Sequence, residues 1–109
     1  MGWFNKIPEK DDIIFANIPE DKNNKNQLSG NHPIVVVSSD KQSVKVIGCT
    51  SNPKAEKYGA VRIETENNNL KKNTYAKVEQ GLRNIQISDL TSNVVDKVKN
   101  GNEIRGKIK

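Results

Sequence analysis

Residues Ser29–Asn52 read SGNHPIVVVSSDKQSVKVIGCTSN. Within them, Ile34–Val37 is an unbroken apolar run of β-branched residues, too short for a buried helix and typical of a buried strand. Ser38–Ser43 is a polar turn segment. Val44–Cys49 then starts as an alternating strand and ends apolar. Two strands joined by so short a turn form an antiparallel hairpin. That pairing brings His32, at the start of the first strand, close to Thr50, at the end of the second.

Upstream, Asp12–Ile18 (DIIFANI) reads as a strand stopped by Pro19. Glu20–Gly30 is rich in Asn and Lys and cannot bury apolar surface, so an exposed loop is expected there. Its Lys22 and Lys25 suit either a lid over phosphate or a solvated connection. Trp3 and Phe4 are expected to pack on the body of the domain or on a partner.

Downstream, Ser51–Gly59 is a turn-rich loop carrying Lys54, Lys57 and Tyr58. Ala60–Thr65 alternates as a strand, Glu66–Asn69 is a turn, and Leu70–Asn73 is a short basic connection. Thr74–Gln80 and Leu82–Ile87 read as two further strands, broken or bulged at Gly81. Beyond Ser88, the apolar residues Leu90, Val94, Val95 and Val98 recur at helical spacing, so a helix is expected there, capped by Ser88 and stopped by Gly101. Asn102–Lys109 then reads as the end of a loose basic tail. Five to six short strands with frequent turns and one terminal helix imply a mainly β fold: a small, strongly bent antiparallel sheet or barrel.

A chain of 109 residues is expected to form one domain over 1–109, with 1–11 as lead-in and 101–109 as basic tail. Only 33% of its residues are hydrophobic, so the core is small and dimerisation would help. The formal net charge of +5 favours polyanionic partners such as RNA, DNA or an acidic protein segment. A single cysteine excludes an intramolecular disulfide, and its place in an apolar run makes Cys49 a buried structural thiol. One His and one Cys cannot close a zinc site, so neither metal nor cofactor is expected. No apolar run reaches membrane-spanning length, and the first residues lack a signal core, so a cytoplasmic protein is expected.

The order of these features resembles the MazF/PemK family, the toxins of type II toxin–antitoxin systems. The resemblance rests on several short segments in sequence. Gly30-Asn31-His32-Pro33 leads into Ile34–Ser38, and a second strand ends in Cys49-Thr50-Ser51-Asn52. Val61-Arg62-Ile63 and Leu70–Tyr75 follow, then Lys77-Val78-Glu79-Gln80 and Arg83-Asn84-Ile85. The resemblance runs from about Asp12 to Lys99. It implies an SH3-like barrel that dimerises, binds single-stranded RNA in a groove and cleaves it without metal. It also implies an acidic antitoxin peptide that occupies the same groove.

For the site, the resemblance implies a hydroxyl phosphate contact at Thr50, with Ser51 beside it. His32 stands where the family usually has Arg. An imidazole is the better general acid or base, whereas guanidinium is the better bidentate phosphate clamp. Two outcomes therefore stand open: His32 takes over proton transfer, or the barrel binds RNA or an antitoxin-like peptide without cutting. Lys77 and Glu79 fit either a phosphate contact and a base toward the 2′-hydroxyl, or a surface ion pair. Arg83, Lys54 and Lys57 complete the expected RNA contacts, with Tyr58 available for stacking.

Overall fold

A computed structural model describes residues 8–23 and 27–108. The expectations for Trp3, Phe4 and Lys25 fall outside the described residues. Three long strands form the frame: β1 (Asp12–Ile18), β2 (Gly30–Ser39) and β3 (Ser43–Thr50). Around them lie β4 (Val61–Arg62), β5 (Tyr75–Ala76), β6 (Arg83–Gln86), β7 (Asp96–Lys97) and a helix, α1 (Gly101–Gly106). Six strands follow one antiparallel path, β4-β5-β3-β2-β1-β7, and β6 pairs with β3 beside it. The result is a curled half-barrel, as the mainly β reading anticipates.

The β2–β3 hairpin is closed by Asp40. Its carboxylate accepts from the backbone N–H groups of Gln42 (2.9 Å) and Ser43 (3.0 Å). These bonds, led by the one from Gln42, hold the Asp40 carboxyl below its ordinary range. Within the hairpin the register shifts by one residue between Val36 and Ser38. This bulge increases the local twist that curls the sheet.

Successive residues of β1–β3 enter two different clusters, which explains the apolar runs without alternation. Ile13, Val35, Ile47 and Cys49 pack on one side with Ala76, Val78, Val98 and Ile104. Ile14, Ile34, Val36 and Val46 pack on the other with Ile85 and Leu90. A sheet covered on both faces needs apolar residues at consecutive positions.

β3 changes partner along one edge. Ser43–Val46 pair with β6, whereas Cys49 and Thr50 pair with β5. The changeover falls at Ile47–Gly48. A Cβ on Gly48 would sit 2.9 Å from Leu28 Cδ2 and 3.3 Å from Ile18 Cδ1, so glycine lets the loop after β1 close onto the bend.

The helix expected from Ser88 to Gly101 is not formed. Ile87–Asp89 is a single 3₁₀ turn whose capping box links Gln86 and Asp89. The chain then runs extended beside β1: the N–H groups of Thr91, Val95 and Val98 donate to the carbonyls of Phe15, Ile13 and Asp11. Edge pairing wins because β1 otherwise carries an unpaired row of backbone groups, and the three valines prefer extended backbone. Val94, assigned by periodicity to a buried helix face, is 42% exposed.

The helix lies later, in the segment read as a loose tail. Six residues make no stable helix alone. α1 is held by Ile104, which is fully buried, and by an ion pair from Arg105 to Asp11. The strands expected at Ala60–Thr65 and Thr74–Gln80 are also shorter than their alternation suggests. They are β4 and β5, the latter followed by a 3₁₀ turn at Val78–Gln80, and Gly81 then turns the chain at φ 75°.

Candidate functional site

The site is a cleft of about 610 Å³ at the open end of the β2–β3 hairpin. Ile34 pairs with Gly48 at this end of the hairpin ladder, and His32 and Thr50 each lie two residues beyond that pair. Both residues line the cleft, and Ser51 adjoins them. Phe15, Pro33, Leu70 and Val95 give the cleft apolar walls, and Lys71 and Lys72 give it a positive rim.

Thr50 Oγ1 accepts from the backbone N–H of Asn52 at 3.2 Å. That leaves its own O–H proton free to donate, since no acceptor for it occurs among the described residues. His32 is half-buried, and neither ring nitrogen bonds another described residue. Its backbone is fixed by pairing with Ala16 of β1.

The positive rim is positioned from the far end of the chain. Asp96 is 3% exposed. Its carboxylate accepts from the N–H groups of Lys97 (2.7 Å), Asn69 (2.8 Å) and Asn67 (3.0 Å), and from Asn67 Nδ2 (3.3 Å). Asn69 Nδ2 donates in turn to Val95 O at 2.9 Å. Burial pushes the Asp96 carboxyl up, but these donors outweigh it and the group lies below the ordinary carboxylate range. This clasp fixes the turn from which Leu70, Lys71 and Lys72 emerge beside His32 and Thr50.

The chain matches, over residues 9–102, the family described as PemK-like, MazF-like toxin of type II toxin-antitoxin system. It belongs to that family. No match is found among the curated proteins.

In this toxin the cleft brings together His32, Thr50 and Ser51 of the residues singled out from the sequence. Lys54 and Lys57 lie exposed on a 3₁₀ helix, Pro53–Tyr58, that starts just beyond Ser51, and Tyr58 is also exposed there. They do not line the cleft. Lys77 and Glu79 form an ion pair at 3.6 Å with side chains only 18% and 16% exposed, and Glu79 Oε1 has no hydrogen-bond partner among the described residues. Neither lines the cleft. The Arg83 guanidinium donates to Leu28 O and Pro19 O, both at 2.8 Å, tying down the two ends of the loop between β1 and β2.

Sequence reasoning missed Lys71 and Lys72, read only as a basic connection, and the wall residues Phe15 and Val95. Two adjacent lysines after an Asn-rich turn were the available signal. Among the described residues no group of three or more His, Cys, Asp or Glu is placed to hold an ion. No helix among them is long and apolar enough to cross a membrane.

Proposed function

We propose that this toxin is a metal-independent endoribonuclease that cuts single-stranded RNA in the cleft shared by His32 and Thr50. The observation that carries the reading is the convergence there of an imidazole, a hydroxyl and two lysines, with no acceptor for the hydroxyl proton and no ion-pair partner for the lysines among the described residues. A neutral His32 imidazole takes the proton of the ribose 2′-hydroxyl. The 2′-oxygen then bonds to phosphorus and the bond to the 5′-oxygen breaks. That oxygen takes a proton from water, to which the His32 imidazolium returns its own, leaving a 2′,3′-cyclic phosphate and a free 5′-hydroxyl. Thr50 donates to a non-bridging oxygen as charge builds, with Ser51 beside it. Lys71 and Lys72 offset the charge of the strand. The apolar walls suit one unstacked base, which favours single strands over duplex.

An acidic antitoxin segment would compete for the same cations, and a homodimer would extend the groove. Lys54 and Lys57 are proposed as outer contacts for a longer RNA. His32 also supports a second reading, a barrel that binds RNA without cutting. It stands at the family's arginine position, and a neutral imidazole donates only one hydrogen bond. Incubating RNA with the pure toxin in the presence of a chelator separates the two. Cleavage is expected, with Thr50→Ala lowering the rate about 100- to 1000-fold. RNA that binds in a salt-sensitive way yet stays intact would leave only the second reading.

A further inference from the structure

A second concavity of about 520 Å³ lies on the other side of the Leu70–Thr74 segment. It shares Leu70, Lys71, Lys72 and Thr74 with the cleft, so this segment is a strap with a cavity on each side. Arg62 and Lys99 add two more positive charges, and Glu64 is the one acid in its lining.

None of the four cations forms an ion pair among the described residues. The contrast with Lys97 is direct, since that neighbour is neutralised by Asp12 at 3.0 Å and Glu9 at 3.7 Å. The backbone that carries Arg62 and Lys99 is fixed. Asn100 accepts from Glu64 N at 2.9 Å through Oδ1 and donates to Arg62 O at 2.8 Å through Nδ2, while Lys99 N donates to Glu64 O at 2.7 Å. Arg62 Nη2 also donates to Asn73 Oδ1 on the strap at 3.2 Å.

We infer that this basic cavity is a second phosphate site, which holds the backbone of the same single-stranded RNA where it leaves the cleft and crosses the strap. The inference rests on the cleft being the place where RNA is bound. Register supplies the distance: Thr50 pairs with Tyr75, and Tyr75 pairs with Arg62, across three adjacent strands. Two strand spacings are roughly 10 Å, a distance that an unstacked RNA strand crosses within a few nucleotides. The chemistry of the lining selects the occupant. An acidic helical peptide needs an apolar groove for its other face, and the apolar walls belong to the first cleft. Here Ile63 is buried, and Thr65, Asn68 and Asn73 present polar groups that suit phosphate oxygens.

The test uses Arg62→Gln, Lys99→Gln and the double variant, in the wild-type toxin and in Thr50→Ala. In the first arm, cleavage of a trinucleotide is compared with that of a 12-mer. The double variant is expected to raise KM for the 12-mer several-fold, with kcat and the trinucleotide reaction unchanged. In the second arm, Thr50→Ala binds a labelled 12-mer over a range of salt concentrations. Each cation removed should lower the slope of log K against log salt by about 0.7. Equal losses on both substrates, or an unchanged salt slope, would overturn the second site. So would poly-glutamate binding that depends on Arg62 and Lys99 more strongly than RNA binding does. If wild type fails to cut RNA yet the slope falls as expected, the nuclease reading fails and the second phosphate site stands.

Discussion

The backbone N–H of Asn69 donates to Asp96 Oδ2 at 2.8 Å, across a sequence separation of 27 residues. Through this bond and its neighbours, the strand beside β1 decides where the basic strap begins. Truncating the acceptor removes the shared partner of the N–H groups of Asn67, Asn69 and the half-buried Lys97. Asp96→Ala is therefore expected to lose about 2–3 kcal/mol of stability at neutral pH. The carboxyl is held below its unfolded value of about 3.9. Its contribution is thus complete above that value and lost as pH falls through the lower folded one. Urea melts at pH 7 and pH 3 should show the gap between wild type and Asp96→Ala narrowing in acid. A constant gap would contradict the clasp.

Ile104 and Val94 distinguish the observed helix from the one that periodicity suggests. Ile104 is fully buried and Val94 is 42% exposed. Ile104→Ala is expected to cost about 2–5 kcal/mol, and Val94→Ala less than about 0.5 kcal/mol. Chemical denaturation of the two variants reads the difference directly, and the opposite ranking would restore the helix to residues 88–101.

The Cys49 thiol is fully buried, and burial pushes its pKa far above the ordinary thiol range. A thiolate-selective reagent should leave the native toxin unmodified over hours and label it once the chain is unfolded in guanidinium. Rapid labelling of the native protein would mean that the core cluster around Val35 and Ile47 opens readily.

His32 is the residue on which the proposed chemistry turns. His32→Ala is expected to slow cleavage by about 100- to 10,000-fold. His32→Arg should tighten RNA binding at low salt while also slowing cleavage, because guanidinium does not give up its proton. Faster cleavage by His32→Arg would show that the residue contributes charge rather than proton transfer.

Much of the barrel was legible because its signals are local. The runs Asp12–Ile18 and Ile34–Val37 and the Asp40 turn each declare themselves within a few residues. The same hairpin register made the approach of His32 to Thr50 legible. The segment from Leu90 to Val98 was not, because its apolar spacing suits a helix and only the open edge of β1 makes pairing better. The bonds of Arg83 were not legible either, because its guanidinium meets carbonyls of a loop more than 50 residues earlier.

The sequence by itself determined the strands of the frame, the family, the buried thiol and the pairing that unites His32 with Thr50. All of these follow from contiguous patterns or from a hairpin closed by a short turn. Tertiary structure decided which lysines stand at the cleft, where the helix forms and which arginine is tied to backbone carbonyls. Those outcomes depend on partners distant in the chain: Asp96 for the strap, the core cluster for Ile104, and the loop after β1 for Arg83. Charge and periodicity fix what a residue can do, and the partner it meets when the sheet curls fixes what it does.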